Sequence, residues 1–268
     1  MKLALVAIAK DEDKYLKEWI DHYKKLGFDQ IYLYENNYRS NINDSSMLKI
    51  PCDGEFKQGY AYNHFVQNYG LSYDWAAFFD IDEFLVLKKH SNIKDFIYEY
   101  GFDTHSLAIN WIFFGNNFIE DYDPNNNSLI NRFKMRQKKV NEHIKSIIKL
   151  EPNITMIHPH YANVQWKDTN GNFGTGPFNH NGTDDVVQLN HYVCKTKHEY
   201  MEKVMRGRAD VPVSRSIEEF EGMNYNEIED LFLFNKNQKS SWNLNLTMGL
   251  GPVIIIEYEG HRVGVLLL

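Results

Sequence analysis

The sequence predicts an α/β fold with a mixed, mainly parallel central sheet and a helical C-terminal part, and three observations point that way. Apolar runs of strand length alternate with amphipathic helical stretches through the first ninety residues. Polar and acidic residues collect directly after those runs, where sheets of this kind open a ligand crevice. The 268 residues are 43% hydrophobic and 24% charged, which suits one large core or two modest ones and excludes wholesale disorder.

Leu3 to Ala9 is a short apolar run suited to a buried strand. Tyr15, Leu16, Trp19, Ile20, Tyr23 and Leu26 share one helical face, with Gly27 as the stop and Asp11 or Asp13 as a cap. Gln30 to Glu35 reads as a second strand, residues 36–44 as a polar loop and 60–69 as another helix. Asp74 to Phe79 is a third apolar run, ending in Asp80-Ile81-Asp82-Glu83. Further strands are predicted at Leu107–Phe114, Leu129–Met135, Ile144–Leu150 and Val186–Val193. An Asn-rich loop is expected over 116–128, and a long loop with Gly171, Gly174, Gly176 and Gly182 over 163–183. Helices are expected at Glu199–Arg206 and 225–237. The apolar stretch Pro252–Leu268 reads as an added strand or edge hairpin, with an oligomer contact or membrane-surface anchor as the alternatives. No internal repeat and no linker stand out.

Composition narrows the function. The net charge is −7, against a role in coating nucleic acid, which rests on a broad cationic footprint. Cys52 and Cys194 leave no room for a disulfide framework or a zinc cluster, and a reducing compartment fits them. The first residues read as a strand, not a signal peptide, and no apolar stretch reaches the length of a spanning helix. The expected location is cytoplasmic, with peripheral contact at the inner face of a membrane left open.

Asp80-Ile81-Asp82 is the sharpest chemical signal. Two carboxylates two positions apart, at the mouth of a buried strand, can direct oxygens to one divalent cation, manganese or magnesium, bridging to substrate phosphates. Charges at the end of a buried strand are costly without such compensation. Asp-x-Asp alone is a weak pattern, as Asp11-Glu12-Asp13 in this same chain illustrates. Arg132, Lys134, Arg136, Lys138, Lys139, Lys145 and Lys149 face a single acid, Glu142, within 132–149. That run reads as a solvated face or as a surface for an anionic glycan or phospholipid headgroup.

At this point the chain resembles the nucleotide-sugar glycosyltransferases of the GT-A fold, in the group close to families 2 and 92. The resemblance rests on an ordered set of segments: Ala9-Lys10-Asp11-Glu12, Leu16 to Tyr23, Gln58 with Tyr62-Asn63, Asp74-Trp75 leading to Phe79 through Leu85, Asn110-Trp111 with Phe114-Gly115, and Asn190-His191-Tyr192 with Lys195 and Lys197. It covers residues 3–206 and implies a Rossmann-like three-layer sandwich. A nucleotide-binding half would span about 1–90 and an acceptor half about 91–206, with 207–268 a helical and apolar extension packed on the same domain.

The resemblance also implies roles. Asp80, Asp82 and His191 would hold the metal. Ala9, Asp11, Glu12, Glu35, Gln58 and Asn63 would line the donor site, although Asn63 bonding only to backbone, and Asp11 serving as a helix cap, are the plainer readings. Lys195 and Lys197 would offset charge on the leaving diphosphate. An inverting transfer needs a base. Asp184 and Asp185 are the leading pair, with Glu83, Glu120 and His160 as alternatives. Trp111, His158 and His160 are expected at the acceptor, with Phe113 in the core. The implied activity is transfer of a hexose, galactose favoured, from a UDP-sugar to a saccharide or glycolipid acceptor, with bacterial surface polysaccharide or lipopolysaccharide synthesis as the expected setting. The rival readings are a nucleotidyltransferase, a non-enzymatic glycan-binding module and a degenerate transferase. The acidic stretch after the first strand repels phosphate and argues against the first of these.

Overall fold

The computed structural model describes residues 1–208, 215–241, 253–258 and 261–266. They fall into two compact units, Met1–Glu229 and Asp230–Leu268.

The first unit opens with strand β1 (Leu3–Ala9), helix α1 (Asp13–Leu26), β2 (Gln30–Glu35), β3 (Met47–Pro51), α2 (Gln58–Asn68) and β4 (Trp75–Phe78). β1 lies between β2 and β4, and β3 lies outside β2, all parallel. β1 is buried along its whole length, so both faces of the sheet are covered. Ala4, Val6 and Ile8 pack in one cluster with Ala61, Tyr62, Phe65 and Val66 of α2. α1 ends as its pattern predicts, at Gly27 in the left-handed region with φ +98°. Its start differs from expectation. No side chain caps α1, Asp11 sits at φ +52°, and the Asp13 carboxylate instead accepts the Asn41 N–H at 2.9 Å. Strand β3 lies just past the polar loop read over 36–44, where the sequence showed no strand pattern.

β5 (Glu83–Leu87) follows β4 after a tight turn, then α3 (Ile93–Tyr100) and β6 (Ser106–Phe113). Next come α4 (Leu129–Arg132), β7 (Met135–Arg136), β8 (Ile144–Lys149), β9 (Met156–His158), β10 (Tyr161–Ala162), β11 (Trp166–Lys167) and β12 (Phe173–Gly174). β13 (Val187–His191), α5 (Lys197–Arg206), α6 (Ile217–Met223) and β14 (Ile228–Glu229) complete the unit. β8 is the hinge of the sheet, antiparallel to β4 on one side and to β6 on the other. β13 runs parallel to β6 and antiparallel to β5. The result is a mixed ten-stranded sheet whose N-terminal half is wholly parallel.

Two further expectations are corrected. Leu129–Met135 is not a strand. Ser128 caps a helical turn there, and Glu18 of α1 accepts the Leu129 N–H at 2.7 Å, a tertiary partner that sequence pattern does not reveal. The basic run is not one face either. Arg132, Arg136 and Lys145 are buried and ion-paired with Glu199, Asp184 and Asp80 respectively.

In the second unit, α7 (Phe232–Ser241) starts later than the helix predicted at 225–237. β15 (Val253–Tyr258) and β16 (His261–Leu266) pair antiparallel as a hairpin. Residues 252, 259–260 and 267–268 of that predicted stretch lie outside the described residues. No described helix is long and apolar enough to cross a membrane.

Candidate active site

The turn carrying Asp80 and Asp82 is held from below by α1. The Trp19 indole N–H donates to the carbonyls of Asp80 at 2.9 Å and Glu83 at 3.1 Å, and the Tyr23 hydroxyl donates to the Glu83 carbonyl at 2.9 Å. The Glu83 carboxylate accepts the Asp80 N–H at 2.9 Å, closing the turn on itself. Glu83 is fully buried, and burial holds its carboxyl well above the usual range against the pull of Lys145. Its role here is to brace the turn. The aromatic stripe of α1 thus supplies both apolar surface and the donors that a charged turn needs.

Strand pairing brings the remaining groups in. In β13, His191 sits opposite Glu83 of β5 and beside Phe113 of β6. Asp82 is buried, and its Oδ2 accepts from Lys203 Nζ of α5 at 2.6 Å and from Lys195 Nζ at 3.3 Å. Its Oδ1 faces His191 Nε2 at 3.6 Å. Burial alone would raise the Asp82 carboxyl, but Lys203, Lys195 and His191 together hold it well below the carboxylate range. Burial lowers His191, with Asp82 opposing, and lowers Lys203 to about 8 despite Asp82.

Asp80 is half-buried. It accepts from Gln58 Nε2 at 2.8 Å and from Lys145 Nζ at 3.0 Å. Burial would push Lys145 down, yet Asp80 and Glu83 carry it above the ordinary lysine range. Asp80, Asp82 and His191 line one cavity of about 300 Å³, at the small end for ligand sites. Among the described residues its cations are Lys10, Lys145, Lys203, Arg206, Arg208 and Arg215, against Glu12, Asp80, Asp82 and Glu219. The wall therefore carries an excess of positive charge, suited to a polyanionic ligand.

Part of the lining is aromatic. Trp111 and Phe113 both line the cavity, and Phe113 is also buried in a core cluster with Val193, Cys194, Tyr200 and Phe220, as expected. The Trp111 ring centroid lies 4.8 Å from that of His160 and 4.5 Å from that of His191. His160 Nδ1 lies 2.6 Å from the Ile144 carbonyl, which only accepts, so Nδ1 carries the proton and Nε2 keeps its lone pair. Burial, assisted by Lys145, pushes His160 down to about 2, so the ring is neutral.

Of the residues singled out in the sequence, Ala9, Glu12, Gln58, Asp80, Asp82, Trp111, His160 and His191 meet at this cavity. The others do not line it. Lys195 reaches Asp82 from outside the lining, with its Nζ 4.8 Å from the Tyr15 ring centroid. Asp11 is exposed, and its carbonyl accepts from Arg206. Glu35 holds the following loop by accepting the Ser40 N–H at 2.9 Å. Asn63 pairs with both backbone groups of Met156, the plainer of its two readings. His158 is exposed, and Lys197 and Glu120 line a different cavity. The Asp184 carboxylate accepts from Lys88 and Arg136, Asp185 is exposed, and neither lines the cavity.

Several cavity residues were missed. Lys145 stands out in the sequence only as part of the basic run, although it lies inside the largely apolar strand β8. Lys203 and Arg206 lie three residues apart on one side of α5. Arg208, Arg215 and Glu219 left no signal.

A divalent cation shared with a diphosphate needs only one or two protein donors, the rest being phosphate and water. Among the described residues no three His, Cys, Asp or Glu side chains converge. Asp82 Oδ1 and His191 Nε2, 3.6 Å apart, are nevertheless spaced as two donors on one ion with bonds of roughly 2.0–2.2 Å. This mixed oxygen and nitrogen pair fits manganese better than magnesium.

Residues 56–231 match the model of Glycosyltransferase family 92. A glycosyltransferase family 92 protein of Ricinus communis is 22% identical over 105 residues, covering 35% of this chain and 19% of that protein. Another, from Oryza sativa subsp. japonica, is 25% identical over 109 residues, covering 37% and 18%. The match thus spans under a fifth of the length of either relative. Among solved structures, S. aureus TarS matches with a TM-score of 0.29 and 16% identity, over 41% of this chain and 22% of that one.

Proposed function

The chain belongs to glycosyltransferase family 92, and from that premise we propose that its cavity transfers a hexose from a uridine diphosphate sugar to a hydroxyl of a saccharide or glycolipid, with inversion. The observation that carries this reading is the junction of Asp80, Asp82 and His191 with an excess of cations in one cavity that Trp111 and Phe113 also line. In the transfer, the acceptor oxygen bonds to the anomeric carbon as the bond from that carbon to the diphosphate oxygen breaks. The bonding pair leaves with uridine diphosphate, and the hydroxyl proton passes to a base. A divalent cation on Asp82 and His191 would supply positive charge to the leaving diphosphate.

The chain's own groups do the rest. Lys145 and Arg206 offset the charge that grows on the diphosphate. Trp111 offers a flat apolar face to a sugar ring, and His160 Nε2 can accept from a sugar hydroxyl. Asp80 and Asp82 face the cations, and Glu219 of α6 gives both its oxygens to Arg208. Glu12 gives Oε1 to Arg206 and keeps Oε2 buried without a hydrogen-bond partner among the described residues, so it is the cavity carboxylate assigned here as base.

Calorimetric titration with uridine diphosphate and UDP-sugars, with manganese and after chelation, tests the donor. Metal-dependent binding is the expected result, with UDP-galactose the first sugar to try. No binding of any uridine nucleotide under either condition overturns the donor assignment. Glu12→Gln should keep donor binding and lower transfer by about 10²–10⁴-fold. Retained transfer removes Glu12 from the role.

A further inference from the structure

Asp82 carries more positive charge than one carboxylate requires. Two ammonium groups share its Oδ2, and they differ in kind. Lys195 is enclosed against the Tyr15 ring and lies outside the cavity lining. Lys203 lines the cavity and makes the shorter contact, 2.6 Å. Two cations on one buried anion leave a net positive charge that an arriving anion would neutralise.

The other oxygen is nearly free. Asp82 Oδ1 lies 3.6 Å from His191 Nε2, too far for a hydrogen bond and suited to a shared cation. A dication beside Oδ1 would stand within a few ångström of the Lys203 ammonium, and the two repel. Lys203 ends a flexible four-carbon stem, and Arg206, three residues on along α5, lines the same cavity.

Resting on the glycosyltransferase reading above, we propose that Lys203 is an exchangeable counter-ion. It neutralises Asp82 in the empty enzyme, leaves Asp82 when a divalent cation binds there, and then contacts the donor diphosphate. Lys195 stays as the fixed counter-ion.

Two substitutions in the full chain, singly and together, test this. Manganese titration without nucleotide, read from the paramagnetic signal of the free ion, should give Lys203→Met an affinity about five-fold higher than wild type, because a competing cation is gone. Uridine diphosphate at saturating manganese should bind that variant about ten-fold more weakly, for loss of a charge-assisted hydrogen bond. Asp82→Asn releases the ammonium, so its metal-free affinity for uridine diphosphate should rise several-fold over wild type. Adding Lys203→Met to Asp82→Asn should remove that gain, whereas loss of the Asp82 charge alone would raise affinity equally with or without Lys203.

Manganese affinity unchanged or lowered in Lys203→Met overturns the exchange, as does unchanged nucleotide affinity. If Lys203→Met does not fold, the Asp82→Asn titration decides, and no gain in metal-free binding overturns the proposal. Wild-type protein that binds no uridine nucleotide in any condition removes the donor reading instead. The manganese titration still decides whether Lys203 competes for Asp82.

Discussion

Two buried ionic clusters in the same unit are built to opposite ends. Around Glu199, every carboxylate oxygen is used. Arg132 makes a two-pronged contact at 2.9 and 2.8 Å, the Tyr15 hydroxyl donates at 2.6 Å, and Thr196 closes a capping box on α5. Around Asp82, two lysines crowd one oxygen, the other stands 3.6 Å from His191, and His191 Nδ1 is without a hydrogen-bond partner among the described residues. Both clusters bury charge at similar cost. The closed one spends its hydrogen bonds on joining α5 to α1 and α4. The open one keeps them available to a ligand, so satisfaction of the donors, more than burial or charge, separates scaffold from site.

The comparison breaks most sharply at the closed cluster. Arg132→Met leaves the buried Glu199 without its ion partner, and should cost about 3–5 kcal/mol in urea unfolding. Arg132→Met with Glu199→Met should recover most of that loss. A single variant as stable as wild type would show that the cluster is not closed.

At the open cluster the loss should appear in catalysis. Asp82→Ala should lower kcat/KM for the donor by roughly 10²–10³-fold, measured as sugar transfer or donor hydrolysis. Full activity would remove Asp82 from the site.

Acid should find the closed cluster as well. Burial would raise the Glu199 carboxyl, but Arg132 and Tyr15 hold it down at about 2. Its folded pKa lies below its unfolded one. The stabilisation is therefore complete above the ordinary carboxylate range and fades as pH falls toward about 2, on the order of 3 kcal/mol in all. Unfolding free energy against pH for wild type and the Arg132/Glu199 double variant checks this, since the slope from this group should vanish in the variant.

The smallest effect is expected at Asp184. Partly exposed between Lys88 and Arg136, it should contribute about 1 kcal/mol or less, and Asp184→Asn should leave transfer unchanged. Loss of transfer by orders of magnitude with donor binding intact would return the base to that position.

Much of the first ninety residues was legible because their patterns are local. Strand and helix periods, the Gly27 stop and the acidic turn after Phe79 each need only neighbours in sequence to be read. Prediction failed where the deciding partner was distant. Leu129–Arg132 turned helical because Glu18 accepts the Leu129 N–H. The basic run dispersed because Arg132, Arg136 and Lys145 each met a carboxylate from a remote segment. Lys195 and Lys197 lie two apart, yet one reaches Asp82 and the other lines a separate cavity.

By itself the sequence determined the α/β class, the turn with paired carboxylates and the kinship, because apolar periodicity and ordered motifs are properties of the chain alone. The tertiary structure decided which charges share a cavity. Register places His191 opposite Glu83, and packing of α5 puts Lys203 on Asp82. Buried charges choose partners by proximity in space, which no spacing along the chain encodes.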